Sequence, residues 1–278
     1  MKVAVTGASG LIGTRLTAAL RAMDHQVIPL GRRDTIGACD AVVHLAGEPV
    51  AQRWSARAKQ EIRDSRVEGT RRLVAGIAAL PQKPRVLVSS SAIGYYGSRG
   101  DETLTEESGP GSDFLAAVCA AWEKEAQAAE ELGIRVVRLR TGIVLDARGG
   151  ALAKMLTPFR FGLGGRLGSG RQWMSWIHSD DLVGIIVHAL ENPLSGAVNG
   201  VAPNPVRNSV FTQALARTLH RPALFPVPQF GLRLMLGEMS EAVLASQRVL
   251  PKVAESEGYC FRYPDLPEAL RETIIGRR

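Results

Sequence analysis

Cysteine and histidine are both scarce in this sequence. Its 278 residues include three cysteines, and Cys39, Cys119 and Cys260 show no paired spacing. This pattern argues against a disulfide framework and against a cysteine zinc site, and it favours a reducing, cytoplasmic location. The five histidines are scattered, and no two have the spacing of metal ligands on a helix. We therefore expect no metal site.

Long apolar runs are missing as well. The N-terminal residues 1–10 reach glycine after a few apolar residues, which is too short for the core of a signal peptide. No later run is long enough to span a bilayer. We expect a cytoplasmic protein with no membrane partner.

Negative charge is in deficit, because the formal net charge is +7. The arginines are spread along the chain, without the basic stripe and interleaved aromatic residues that are typical of nucleic-acid binding. We expect a solvated, arginine-rich surface and no nucleic-acid partner. Part of the positive charge is available to an anionic cofactor.

Short, β-branched apolar segments alternate with segments of helical periodicity in the first half of the chain. The predicted strands are 2–6, 25–30, 40–45, 85–90 and 135–140, and the predicted helices are 11–23, 56–79 and 113–132. Nearly continuous apolar strands separated by helices are typical of a parallel sheet covered on both faces. The sequence therefore predicts an α/β protein built on a doubly wound parallel Rossmann sheet.

The composition changes after Asp146, where glycines, then prolines and finally helical patterns follow one another. We expect residues 1–146, together with 174–201, to form a dinucleotide-binding domain. Residues 147–173 and 202–278 are expected to form a smaller C-terminal α/β domain on the substrate side.

The motif most informative about function is TGASGLIG, between the first predicted strand and the first predicted helix. Its glycines permit a tight turn, a close approach of backbone to a pyrophosphate, and close packing of the helix on the sheet. The first helical residues offer unpaired amides and a positive dipole end to phosphates. We expect dinucleotide contacts at Gly7, Ser9, Gly10, Leu11, Ile12 and Gly13; a purely structural turn is the alternative.

Arginines follow the second predicted strand, in the sequence Gly31-Arg32-Arg33. A site for NAD normally carries a carboxylate there for the ribose hydroxyls, whereas arginine suits a 2′-phosphate. Arg32 and Arg33 therefore predict NADP(H) as the cofactor, with an exposed basic loop as the alternative.

Four motifs resemble the extended short-chain dehydrogenase/reductase family: TGASGLIG, HLAG, SSSAIGYYG and WIHSDDL. Other segments resemble its atypical, epimerase-like branch, also described as cell-division-inhibitor-like. These are RWSARAKQEIRDSRVEGT, VCAAWE, GLGGRLGSGRQWMSWIH and FRYPDLPEALRE. The general family match covers roughly residues 1–200, and the branch match covers nearly the whole chain.

The resemblance implies further cofactor contacts, at Leu45, Ala46, Gly47, Arg66, Ser90 and Val144. The turn of the HLAG motif matches the place where relatives pass the adenine ribose and the phosphates. Arg66 stands where typical extended members carry an asparagine that faces the cofactor. A cation there can pair with a phosphate, and a salt bridge on the helix surface is the alternative. Val144 matches a position near the nicotinamide end.

Active members of the family use a Tyr-x-x-x-Lys pair on the helix after the serine strand. In this chain the matching window places Val118 at the tyrosine and Trp122 at the lysine, and neither side chain can do that chemistry. Ser91 remains at the serine position. Tyr95 and Tyr96 follow in the loop, where they either replace the missing acid or only pack the loop. Ser91, Tyr95 and Tyr96 are therefore the candidate catalytic residues.

Two functions remain open at this point. A two-domain layout with a cleft favours an NADP(H)-dependent oxidoreductase or a nucleotide-sugar-epimerase-like enzyme that acts on a small molecule. The missing Tyr–Lys pair favours a cofactor-binding sensor or regulator that has lost catalysis. The substrate stays unnamed, and a homodimer is the assembly to test first.

Overall fold

A six-stranded parallel sheet forms the centre of the computed structural model, which describes residues 1–32 and 34–276. The strands of the described chain are β1 (Lys2–Thr6), β2 (Gln26–Leu30), β3 (Ala41–His44), β4 (Val86–Ala92), β5 (Thr103–Leu104), β6 (Arg135–Thr141), β7 (Ile143–Leu145), β8 (Trp173–Met174), β9 (Trp176–His178), β10 (Gly196–Gly200), β11 (Val206–Arg207) and β12 (Arg248–Val249). The six central strands run in the order β10-β6-β4-β3-β1-β2, and every neighbouring pair is parallel.

Helices cover the sheet and build the C-terminal part of the molecule. They are α1 (Leu11–Ala22), α2 (Ala56–Ala79), α3 (Phe114–Gln127), α4 (Gly150–Arg160), α5 (Ser179–Glu191), α6 (Asn208–Leu219), α7 (Gln229–Leu236), α8 (Met239–Leu244), α9 (Lys252–Ser256) and α10 (Leu266–Ile274). Among these described helices, none is both long and apolar enough to cross a membrane.

The order in which the chain adds strands to the sheet reverses at β1. The chain passes from β1 outward to β2 and then returns to β3 on the other side of β1. In doubly wound sheets, ligands bind beyond the carboxyl ends of the strands at such a switch point. The predicted Rossmann-type fold class is confirmed, and the crevice is expected where β1 and β3 end.

Both faces of the sheet are buried, which explains the nearly continuous apolar strands. Val3 and Val5 pack on the side of α1, against Leu16, whereas Ala4 between them packs on the other side with Ile77 of α2. Fully burying one such large side chain contributes about 1.5–3 kcal/mol. The alternation fixes which face each strand residue points to, and it therefore fixes the side chains at the strand ends.

A second apolar core lies beneath the C-terminal region. It joins Leu152 of α4, Trp176 of β9, Phe211 of α6 and Leu270 of α10. We call residues 147–173 and 202–276 the C-terminal lobe; it is mainly helical, and its strands are only two residues long. The predicted division of the chain into two domains stays a prediction.

Asp181 joins this lobe to the central sheet. The side chain is almost fully buried in α5, and its carboxylate accepts hydrogen bonds from the backbone N–H groups of Arg262 at 2.7 Å and Tyr263 at 2.9 Å. The hydroxyl of Tyr259 donates to it at 3.0 Å. Charge-assisted bonds of this kind are roughly twice as strong as neutral ones. They hold the segment before α10 against α5.

Candidate functional site

The glycine turn after β1 brings three parts of the chain into contact. Gly7 has a φ of +70°, and a Cβ there would lie 2.9 Å from the carbonyl carbon of Leu45. A Cβ on Gly13 would lie 2.1 Å from the carbonyl oxygen of Gly7. Only glycine permits both approaches, because a left-handed φ and an overlap with backbone each disfavour a side chain. The turn, the start of α1 and the loop after β3 therefore meet at the switch point.

The N-terminus of α1 carries no side-chain cap. Its N-cap residue is Gly10, which has no side chain to accept a hydrogen bond from the first turn. The backbone amides of Leu11, Ile12 and Gly13 begin the helix there, and Ser9 beside them is exposed. Such a helix end presents unpaired N–H groups and the positive end of the dipole, which together favour an anion.

Thr6 and His44 link the ends of β1 and β3. The Thr6 hydroxyl lies 2.6 Å from Nδ1 of His44, and Nε2 of His44 lies 3.0 Å from the Thr70 hydroxyl of α2. The backbone N–H of Ala46 donates to the Thr6 hydroxyl at 3.3 Å. Burial lowers the pKa of His44 to about 4, so the imidazole is neutral near pH 7. This chain of hydrogen bonds positions the loop after β3 beside the glycine turn.

Replacing His44 with glutamine will flatten the pH dependence of stability below about pH 6.5. The unfolded chain protonates His44 near its ordinary pKa, whereas the folded chain protonates it only near pH 4. Stability is therefore complete above the ordinary pKa, and it falls as the pH drops toward the folded pKa, by roughly 3 kcal/mol from this group. Urea unfolding across this range measures the effect. Parallel pH profiles for the variant and the wild type would refute it.

Arg32 lies just beyond the end of β2, beside the loop after β3. Its guanidinium is exposed and forms an ion pair with Glu48. Because β2 is next to β1, this places a cation at the edge of the switch-point crevice. The alternative of a plain basic loop stays open, and Arg33 lies outside the described residues.

Arg66 reaches the same loop from α2. Its Nη1 donates to the carbonyl oxygens of Glu48 at 3.0 Å and Ile62 at 3.1 Å, and its Cζ lies 5.2 Å from the ring centre of Trp122. A Cβ on Gly47 would lie 3.2 Å from Arg66 Cζ. Burial lowers the pKa of Arg66, although Cys119 and Glu48 oppose that shift. Within the described residues Arg66 forms no ion pair, so the proposed surface salt bridge is not seen there.

Ser91 belongs to a buried polar network behind β4. Its hydroxyl donates to Oε1 of Glu123 at 2.7 Å. Arg140 of β6 holds the same carboxylate with two bonds, Nε to Oε1 at 2.8 Å and Nη2 to Oε2 at 2.9 Å. Burial lowers the pKa of Arg140, but the hydrogen bonds and the charge of Glu123 outweigh it and raise the pKa. The two guanidinium bonds fix the position of the Glu123 side chain, and the Ser91 proton points to it.

The two candidate tyrosines differ in their surroundings. Tyr96 is fully buried; its hydroxyl donates to the Asn199 side-chain oxygen at 2.7 Å and accepts from Nη1 of Arg140 at 3.0 Å. Burial raises the pKa of Tyr96 to about 12, against the influence of Arg140. Tyr95 is only half-buried, and the Arg140 guanidinium stacks on its ring at 3.5 Å. Of the two, Tyr95 is the one with access to solvent.

The remaining predicted cofactor residues lie around these groups. Leu45 is half-buried, and its N–H donates to the Thr6 carbonyl at 3.2 Å, which sets the loop through Gly47. Ser90 alternates with Ser91 along β4 and so faces the opposite side of the sheet, where it is half-buried. Val144 in β7 packs against the core on the α1 side. Their contact with a cofactor stays a prediction.

Sequence reasoning missed Glu123 and Arg140. The signal was available, because Arg138 and Arg140 occupy alternate positions of a strand predicted to be buried, so both point to one face. A buried cation needs a carboxylate partner, and Glu123 is an acidic residue on the apolar face of α3, the helix before that strand. Cys119, one turn before it, is buried, and burial raises its thiol pKa to about 12.

The fold and this crevice define a doubly wound α/β protein with a dinucleotide-type glycine turn. The chain belongs to the NAD dependent epimerase/dehydratase family, whose model matches residues 3–202. Residues 227–273 match a domain of unknown function, DUF1731. The predicted resemblance to an atypical, epimerase-like branch of the extended short-chain dehydrogenases/reductases is confirmed by the relatives below.

Two curated relatives align over nearly the whole chain. The "Epimerase family protein SDR39U1 homolog, chloroplastic" of Arabidopsis thaliana is 42% identical over 98% of this chain and 86% of its own length. The "Epimerase family protein YfhF" of Bacillus subtilis is 39% identical over 100% of this chain and 99% of its own. Among solved structures, human epimerase family protein SDR39U1 (isoform 2) with NADPH superposes with a TM-score of 0.93. It is 35% identical, over 98% of this chain and 99% of that one.

Proposed function

We propose that this chain binds NADP(H) at the carboxyl ends of β1, β3 and β4 and transforms a small molecule as an oxidoreductase or epimerase-type enzyme. The observation that carries the proposal is the glycine turn against an uncapped α1, where a side chain at Gly7 or Gly13 would meet backbone. The human relative with NADPH supports the choice of cofactor. When bound, NADP(H) supplies or accepts a hydride at its nicotinamide ring.

The residues around the crevice suit the phosphates of this cofactor. The amides of Leu11, Ile12 and Gly13 receive the pyrophosphate, and Arg32 receives the 2′-phosphate by exchanging its ion pair with Glu48. Arg66, stacked on Trp122, provides a fixed positive charge beside Gly47. In this proposal it replaces the charge that active members of the short-chain dehydrogenase/reductase family obtain from the lysine of the Tyr-x-x-x-Lys pair.

Ser91 is the residue that contacts the substrate. The Ser91 hydroxyl donates its hydrogen bond to Glu123. Its oxygen can therefore act as the acceptor of a hydrogen bond from a substrate hydroxyl. Tyr95 lines the same loop and is the second candidate for this contact. Tyr96 stays with Arg140 and Asn199 and supports the loop.

Replacing Arg32 with alanine will weaken NADPH binding by about tenfold or more while leaving NADH binding nearly unchanged. The reason is that NADH lacks the 2′-phosphate, so only NADPH loses a charge-assisted contact. Calorimetric titration of both cofactors, after removal of co-purified nucleotide, measures the difference. Arg72→Ala, an exposed arginine of α2, is the matched control. An equal loss for both cofactors would remove the phosphate assignment.

A catalytically silent sensor of NADP(H) is the second candidate. It is favoured by α3, which contains no tyrosine, and by the high pKa values that burial gives to Tyr96 and Cys119. Following NADPH absorbance with carbonyl compounds and sugar nucleotides separates the two functions. Turnover that depends on Ser91 supports the enzyme. Tight binding without turnover, together with altered amide exchange in the C-terminal lobe, supports the sensor.

A further inference from the structure

A group of large apolar side chains is exposed on the C-terminal lobe. We call it the apolar band; its members are Phe161, Leu163, Leu224, Phe225, Phe230, Leu234 and Met235, with relative exposures from 60% to 77%. Soluble proteins commonly expose such residues singly, whereas a contiguous patch marks a surface that meets another apolar phase.

The members of the apolar band come from three segments that touch one another. The turn after α4 lies beside the loop before α7, because a Cβ on Gly162 would be 3.8 Å from Pro222 Cγ. Gly165 contacts the Phe225 carbonyl, and Leu167 forms a β-bridge with Val227. Helix α7 follows directly and buries Leu232, while Phe230 and Leu234 on it stay exposed. The band is therefore one surface.

The segments that carry the apolar band contain positive charge only, and the carboxylate that follows them, Glu238, is paired with Lys59. No Asp or Glu occurs in residues 147–179 or 192–237, which carry five and four Lys or Arg residues respectively. Arg160, Arg217, Arg221 and Arg233 are exposed and form no ion pair with other described residues. A shallow pocket of about 650 Å³ is lined by Arg217, His220, Arg221 and Leu224. Two of the arginines therefore lie beside Leu224, a member of the apolar band.

We propose that the apolar band and its arginines form a peripheral binding surface for an anionic lipid bilayer. Exposed Phe and Leu side chains enter the boundary between headgroups and acyl chains, and the arginines contact anionic headgroups. A second copy of this chain is a poorer occupant, because a two-fold contact would bring the arginines of one copy against those of the other. The inference does not depend on the proposed enzymatic function.

This surface could not be found from apolar runs. The sequence predicts no membrane partner because it lacks a long apolar segment, but a peripheral surface needs none. Phe161 and Phe230 lie almost seventy positions apart in the chain and share one surface only after folding. The glycines at 162 and 165 permit the close contact between their segments.

Sedimentation with lipid vesicles tests the proposal. We expect the full chain to bind vesicles of equal parts phosphatidylcholine and phosphatidylglycerol at least about tenfold more tightly than vesicles of phosphatidylcholine alone. High salt should weaken this binding, since the attraction is screened. The double variant Arg217→Glu with Arg221→Glu should lose the preference for anionic vesicles. Phe230→Ser with Leu234→Ser should weaken binding to the anionic vesicles.

Matched control variants distinguish binding by this surface from non-specific electrostatic or hydrophobic binding elsewhere on the protein. Arg21→Glu with Arg72→Glu makes the same change of net charge on exposed arginines of α1 and α2, and Met23→Ser removes an exposed apolar side chain elsewhere. Both controls should bind vesicles like the wild type. Equal binding to neutral vesicles, or equal losses in controls and test variants, would overturn the proposal. So would a stable dimer that Phe230→Ser with Leu234→Ser converts to monomer without any vesicle binding.

Discussion

Replacing Arg140 with methionine will lower the free energy of unfolding by about 3–5 kcal/mol. The side chains of Arg140 and Glu123 are only 3% and 4% exposed, so the variant leaves a buried carboxylate without its two-bond partner. The Tyr96 hydroxyl also loses a donor. The penalty is large because a buried charge without its partner keeps the cost of desolvation and loses the attraction that offset it. Urea unfolding measures the change.

Two further variants isolate the buried charge as the cause. Adding Glu123→Gln to Arg140→Met should recover part of the lost stability, because the amide removes the unpaired charge. Arg57→Met breaks an exposed pair with Glu61 and should change stability little. If Arg140→Met costs no more than Arg57→Met, the network behind Ser91 is not a stabilising element.

Replacing Gly13 with alanine will remove NADPH binding and lower the free energy of unfolding by about 1–3 kcal/mol. The new Cβ would lie 2.1 Å from the Gly7 carbonyl oxygen and 2.7 Å from the Ala8 Cα, and both are backbone atoms. The turn can accept the methyl group only by moving away from α1, which separates the amides that the pyrophosphate needs. Thermal unfolding and calorimetry with NADPH measure the two effects.

Replacing Gly69 with alanine should have the opposite effect on stability. It lies inside α2, where an added Cβ would meet nothing within 4 Å. Gly69→Ala should therefore stabilise the chain by up to about 1 kcal/mol, because alanine loses less backbone entropy in a helix.

For the Gly13→Ala variant, unaltered NADPH binding would mean that the glycine turn is only structural.

The central sheet was predictable because local sequence and tertiary burial agree there. The expected helix at 56–79 matches α2 at both ends. At its N-terminus, Ser55 caps the helix by accepting a hydrogen bond from the N–H of Ala58. The C-terminal lobe was harder to predict. Its order depends on contacts such as those of Asp181 with Arg262 and Tyr263, which lie some eighty residues away in the chain. No local pattern encodes such a pairing.

In the candidate site, too, some features could be predicted from local sequence, and others depend on tertiary contacts. The spacing predicts the glycine turn, and Gly13 meets a steric demand within that short segment, whereas the close approach of Gly7 to Leu45 depends on the pairing of β1 with β3. Arg66 was noticed through family resemblance, but its stacking on Trp122 depends on how α2 and α3 pack. Ser91 was predicted as a candidate catalytic residue, but its hydrogen bond to Glu123 could not be, because Glu123 is held in place by Arg140 of another strand, β6.

The position of β10 at the edge of the sheet has a consequence for synthesis on the ribosome. β6 ends at Thr141, but its outer partner β10 begins only at Gly196. At a synthesis rate of roughly 5–20 residues per second, β6 therefore lacks its outer partner for several seconds, and an unpaired strand edge is a template for pairing with another chain. The arginines at 135, 138 and 140 place charge on that edge, as gatekeeper residues do.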